Sequence, residues 1–325
     1  MNMHMRWIIR ALLCGAMVAT SAVADTWPSR PIKLVVPTGP GAATDIIARL
    51  IADALSKKLE RPMVVENKAG ASGIPGHQAV AQADPDGHTL LFTNTSGMAI
   101  NPVSFNDLPY NARKDFTAVA LVASVAPQML SVSMALPVRN AAEFVAYAKA
   151  NRGKVSLAYD TTAGAAAFAA KLLNKRAALE LIEVPYKAVG QLTQDVVSGR
   201  VLAMVSSIAV AEPIVQAGKV RRLAITSEQR FAGLPDLPPL NDVVPGVVMN
   251  GWFAIVAPAG TAQPIVVRLN REIGVYLNEP EIQKRLISFG VMTEGAGTPA
   301  STASFIAREQ NLWDSLAKEL NIERQ

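Results

Sequence analysis

The stretch from Ile32 to Asp45, reading Ile-Lys-Leu-Val-Val-Pro-Thr-Gly-Pro-Gly-Ala-Ala-Thr-Asp, restricts this chain more than any other. A β-branched run, Pro and Gly punctuation, and an amphipathic pattern opening at Thr44 predict a strand, a tight loop and a helix start. The helical pattern sets Ile47, Leu50, Ile51, Ala54 and Leu55 on one face, and a second β-branched run, Met63 to Glu66, follows at once. Strand, helix and strand at this spacing predict a βαβ unit and hence a parallel sheet. Thr44 is the expected N-cap, and Asp45 suits the first turn.

A loop of this kind leaves backbone N–H groups unpaired at the positive end of a helix dipole, so it suits an anion without any charged side chain. Gly39, Gly41, Ala42 and Ala43 keep the approach open. The expected occupant is carboxylate-like.

Residues 1–24 carry Arg6 and Arg10, then an apolar run from Ala11, then Ala22-Val23-Ala24, which predicts a secretory signal peptide cleaved after Ala24. Cys14, the only cysteine, falls inside it, so disulfides, thiolate ligands and Cys nucleophiles are not expected in the mature chain. The remaining length, about 300 residues, suits two domains. The net charge of +5 contains no basic block beyond pairs such as Lys57-Lys58, so nucleic acid is not an expected partner.

After the Gly-rich segment Ala69 to Gly76 come a short helix and a third strand, Thr89 to Thr93, ending in Asn94-Thr95-Ser96-Gly97. In an open parallel sheet this loop lies on the same rim as the first. Phe116 to Val132 is a long apolar run without helix caps, read as a segment crossing from one lobe to another. A second αβ set fills the sequence to Gly218, and Leu223 to Thr226 is the natural return. The fold class is α/β in two hinged lobes around a ligand cleft. Residues 25–123 and 226–325 form the first lobe and 124–225 the second.

Candidate contacts from the first lobe are Thr38, Gly39, Gly41, Ala42, Ala43, Thr44, Asp45, Thr93, Thr95 and Ser96. The second offers Asp160, Thr161, Thr162 and Ser206, and Trp252 could wall the cleft with its ring. Asp160, Thr161 and Thr162 also serve as ordinary helix-start residues, and Trp252 as a core residue. An inward Asp160 would repel a purely anionic ligand and select one that is cationic or uncharged at that end. Lys187 reads as a solvated strand end. His77 and His88 have no second ligand at metal spacing and read as turn and surface residues; no metal and no cofactor is expected. Ser315-Leu316-Ala317-Lys318 lies inside an amphipathic helix without its catalytic partner motifs.

Several ordered segments resemble the Bug-type extracytoplasmic solute receptors of tripartite tricarboxylate transporters. They are Trp27-Pro28-Ser29-Arg30-Pro31-Ile32, Val64-Val65-Glu66-Asn67-Lys68-Ala69-Gly70, Asp84-Pro85-Asp86-Gly87-His88-Thr89, Ala99-Ile100-Asn101-Pro102, Val184-Pro185-Tyr186-Lys187, Leu223-Ala224-Ile225-Thr226-Ser227 and Ala257-Pro258-Ala259-Gly260-Thr261. The resemblance implies a two-lobed periplasmic binding protein of Venus-flytrap, type II-like form. Such a receptor closes on a small carboxylate or amino-acid-like solute and hands it to a membrane permease of the tripartite tricarboxylate type. It implies a binding protein, not an enzyme, and a monomer is expected. The resemblance also implies that backbone groups of Thr38 to Asp45 hold one carboxylate, opposed by Thr93 to Gly97 and Asp160 to Gly164.

The chain departs from the family pattern at Thr38, Gly39, Ala42 and Ala43, in Thr161 to Phe168, and at Ser206, where an Asp is usual. The rival reading is an exported dinucleotide-dependent oxidoreductase using the loop Gly39 to Thr44, with Glu66 as the ribose acid. Against it, Thr44 replaces the third glycine and Pro40 intrudes.

Overall fold

A computed structural model describes residues 27–160, 164–186 and 188–324 of the chain. The first strand, β1 (Ile32–Val36), leads through the tight loop into α1 (Ala43–Lys58), whose buried Ile47, Ile51 and Leu55 pack on the sheet. β2 (Met63–Asn67) and, beyond α2 (Ile74–Ala81), β3 (Thr89–Asn94) flank β1 in parallel, as the βαβ pattern predicts. β1 and β3 are buried almost throughout, as strands covered on both faces must be. A helical turn, Ser96–Ile100, runs on into the short α3 (Asn101–Ser104).

The predicted crossing segment is one strand, β4 (Phe116–Ser133), of 18 residues. Beyond it α4 (Ala141–Ala150), β5 (Ser156–Asp160), α5 (Ala165–Ala177), β6 (Ile182–Tyr186), α6 (Val189–Val197), β7 (Ala203–Ser207), α7 (Ile208–Gln216) and β8 (Val220–Ile225) form a second αβ set. The chain then returns through β9 (Asn250–Pro258) to α8 (Gln263–Leu277), α9 (Pro280–Ser288) and the long C-terminal α10 (Pro299–Glu319).

β4 changes partner along its length. From Phe116 to Pro127 it pairs antiparallel with β9; from Gln128 onward it lies between β7 and β8. The main strand order is β2-β1-β3-β9-β4-β7-β5-β6. The register sets Asn94 opposite Phe253, Pro127 opposite Asn250, Gln128 opposite Ser207 and Met129 opposite Ile225. The parallel strands on either side therefore turn their carboxyl ends toward the point where β4 is handed over.

Thr226, fully buried, ties this junction. Its hydroxyl accepts from the Gln128 N–H at 2.8 Å and donates to the Met249 carbonyl, while its backbone bonds Gln128 and Met249 at 2.9 and 2.7 Å. The sequence places the return at Leu223 to Thr226; in the structure the chain pairs beside the first sheet only from Asn250, after the second tie at Met249. The Pro-rich residues between them pack Phe231 and Leu237 with Met129, Met204 and Ile208 in the second half. One core cluster runs through both halves, joining Val35 and Leu91 to Phe168, Leu172 and Val205 through Trp252 and Trp313.

Candidate functional site

Gly41, at φ +81°, turns the first loop through the left-handed region that a β-carbon disfavours. Helix α1 then begins at Ala43, with Ala42 in the cap position, two residues before the expected Thr44, and no side chain capping it. Thr44, the expected cap, is buried within the first turn. Asp45 does the tying instead. One oxygen accepts from the Gly41 N–H at 2.9 Å and from Arg49 at 3.1 Å, and the other from Asn67 at 2.8 Å and Arg49 at 3.0 Å. Asn67 also donates to the Thr38 carbonyl at 3.0 Å.

Burial alone would push the Asp45 carboxyl up, but the hydrogen bonds from Arg49, Asn67 and Gly41 outweigh it and hold it below the usual range. Both Asp45 oxygens are spent holding the loop, which leaves only its backbone N–H for a ligand. What the loop offers outward is backbone. The N–H groups of Ala43, Thr44 and Asp45 precede the first helical hydrogen bond. Nothing stands within 4 Å of where side chains on Gly39 or Gly41 would begin. The Thr38 hydroxyl is enclosed and without a partner.

The loop after β3 is held by its framework. Thr93, fully buried, bonds His77 at 2.8 Å; the Thr95 hydroxyl accepts from the Trp252 N–H at 2.8 Å; the Asn94 side chain accepts from the Gly97 N–H at 3.1 Å. Ser96 stays half-buried at the head of the following helical turn. Trp252 is 1% exposed, and its ring turns away toward α10. Its indole N–H donates to Glu309 at 3.0 Å and its edge meets Phe305 with centroids 5.6 Å apart. Trp252 is therefore a core residue that holds Thr95 through its backbone, not a cleft wall. Burial pushes the Glu309 carboxyl beside it above its usual range.

The histidine expectation is also corrected, since His77 and His88 are 0% and 6% exposed. Burial pushes His77 down to about 4. The unfolded chain, near 6.5, then binds the proton first, so the His77 contribution to stability is complete above 6.5 and is lost as pH falls toward 4. Urea titrations of the wild type are expected to show a loss of ~3 kcal/mol over that window, absent from His77→Gln. Parallel pH profiles for the two proteins would refute it.

In the second half, Ser206 is fully buried opposite Met129, and its hydroxyl has no partner. The residues before α5, α6 and α7, namely Gly164, Ala188 and Ser207, supply no side-chain cap. Asn140 before α4 and Thr298 before α10 do cap their helices, and both lie away from the junction. Asp160 ends β5 opposite Tyr186. Its side chain, Thr161, Thr162, Lys187 and residues 1–24 fall outside the described residues. Glu66, the ribose acid of the rival reading, is paired with Lys33 at 2.7 Å and Lys68 at 2.9 Å. Sequence reasoning missed Asn250, whose enclosed side-chain oxygen lacks a partner beside the junction. Its place directly after the long linker was the only signal.

Opposed carboxyl ends of two sheets, uncapped helix starts and a shared crossing strand define a two-lobed solute-binding protein. The chain belongs to the receptor family of tripartite tricarboxylate transporters: the model described as "Tripartite tricarboxylate transporter family receptor" matches residues 47–322. BugT of Bordetella pertussis is 32% identical over 314 residues, covering 96% of this chain and 96% of the relative. R. palustris Rpa4515, solved with adipate, superposes with a TM-score of 0.85 at 30% identity, covering 92% of this chain and 100% of that chain. MatC from Rhodopseudomonas palustris with bound malate gives a TM-score of 0.78 at 30% identity, covering 89% and 99%.

Proposed function

We propose that this chain is a periplasmic receptor, exported by cleavage after Ala24, that captures a small carboxylate between its lobes and delivers it to a membrane permease. It acts as a monomer and without catalysis. The observation that carries this reading is the set of backbone donors at Ala43 to Asp45, kept open by Gly39 and Gly41 and locked in place by Asp45. A carboxylate there gains hydrogen bonds from N–H groups that no helix carbonyl serves. The adipate and malate held by the two structural neighbours support the same ligand class.

The lobes meet where β4 passes from β9 to β7 and β8, at Pro127 and Gln128, and closure requires only that contacts improve in the closed state. Ser96, Ser206, Thr161 and Thr162 complete the polar lining. Asp160, at the carboxyl end of β5, weakens plain dicarboxylates relative to a solute that is cationic or uncharged at its far end.

A thermal-shift panel of dicarboxylates, amino dicarboxylates and nicotinamide dinucleotides tests this reading on the purified protein. A fitting acid at ~100 times its dissociation constant stabilises by about 2.7 kcal/mol, a shift of several degrees. Stabilisation by a dinucleotide and by no acid would overturn it. In the same panel Asp160→Asn is expected to favour plain dicarboxylates over amino dicarboxylates; an unchanged ranking sinks the role of Asp160.

A further inference from the structure

We infer that His77 is the positioning residue of the binding rim, the group that sets the loops after β1, β2 and β3 relative to one another; this rests on the carboxylate-receptor reading above. His77 projects from α2 into a fully buried site. Its Nδ1 lies 2.9 Å from the Gly73 carbonyl, which can only accept, so the ring proton sits on Nδ1. Nε2 is then left to accept from the Thr93 hydroxyl at 2.8 Å. One imidazole thus joins the loop after β2 to the end of β3.

The aromatic partner extends the clamp. Tyr110 stacks on the imidazole at 5.2 Å with an interplanar angle of 22°. Its hydroxyl donates to the Gly97 carbonyl at 2.7 Å and accepts from Asn101 at 3.1 Å, and Asn101 also donates to the Ser72 carbonyl at 3.0 Å. The loops at Ser72-Gly73 and Thr93 to Gly97 are therefore held twice, once through the imidazole and once through the phenol.

Two close approaches make the fit tight. A β-carbon on Gly97 would stand 1.8 Å from His77 Nε2, so the ring occupies the notch that a missing side chain leaves. β-Carbons on Gly73 and Gly76 would stand 2.9 and 3.0 Å from Pro37, the residue that opens the first loop. Displacing His77 moves Gly73, which bears on Pro37, and Thr93, which leads to Ser96. All three loops end at the carboxyl edge where the carboxylate is held, so small movements misplace its donors.

The test uses wild type, His77→Ala, Gly97→Ala and the double variant, each measured by calorimetry with adipate and malate and by amide hydrogen exchange without ligand. His77→Ala is expected to bind roughly ten-fold more weakly than wild type. Its exchange should quicken at Ser72 to Ile74 and Thr93 to Gly97 while α8 and β7 keep wild-type protection. Gly97→Ala pushes its methyl into the imidazole, so it should bind at least as poorly as His77→Ala. The double variant, with that collision removed, should bind no worse than Gly97→Ala. A purely structural histidine would lower the melting temperature and leave affinity, local exchange and this coupling unmoved, and that result overturns the inference. If wild type binds neither acid, the panel above decides the carboxylate reading, and the exchange pattern alone decides the role of His77.

Discussion

Trp313→Ala is expected to lower the free energy of unfolding by ~3–5 kcal/mol, the largest single-residue effect we predict. Trp313 is fully buried on α10, and its ring meets the edge of Phe168 on α5 with centroids 4.8 Å apart at 79°. Arg176, one residue before the end of α5, reaches Glu319 at the end of α10 at 3.0 Å. The C-terminal helix thus packs on the second αβ set as well as on the first. Removing the indole opens a cavity in the core cluster that both halves share, and a close-packed interior recovers little of that loss by relaxation. Urea unfolding followed by circular dichroism measures it, since tryptophan fluorescence would itself change. A loss below ~1 kcal/mol would mean that the shared cluster collapses onto the vacancy or contributes little.

Asp45→Ala should strike binding harder than stability. The substitution leaves the Gly41 N–H without an acceptor and takes from Asn67 one of its two; Arg49, about half exposed, turns to water and adds little. The expected stability cost is ~2 kcal/mol. The consequence for binding is larger because Gly41 and Thr38 are the points at which the first loop is fastened, one by Asp45 directly and the other through Asn67. Released, the loop samples other conformations and must be reordered when a carboxylate arrives, so affinity for adipate or malate should fall by roughly 10- to 100-fold. Asp45→Asn keeps the volume and an acceptor and should recover part of both losses. Calorimetry that finds Asp45→Ala binding like wild type would remove Asp45 from the account of the site.

Both predictions rest on contacts of different reach. The elements of the first αβ set were readable because their signals are local: β1 and β3 are short, nearly continuous apolar runs, apolar residues recur every third or fourth position in α1, and Gly and Pro stand between them. β4 was readable as a crossing strand because 18 extended, uncapped residues exceed what one lobe needs. The first loop was readable as a turn with free backbone donors because its backbone chemistry follows from strand, glycines and helix start.

The side-chain roles were not readable in the same way. Asp45 looked like a helix-start acid and proved to be the fastening of the loop, because Asn67 comes from another strand to meet it. Trp252 looked able to wall a cleft and proved to be committed to Glu309, 57 residues later. His77 looked like a turn residue, yet Tyr110 and Thr93 enclose it.

The sequence by itself determined the parallel βαβ frame, the crossing strand and a first loop of free N–H groups, because periodicity, turn chemistry and helix polarity act between residues a few positions apart. Only the tertiary structure decided which side chains face the junction and which hold it, because burial and hydrogen-bond partners come from strands and helices distant in the chain.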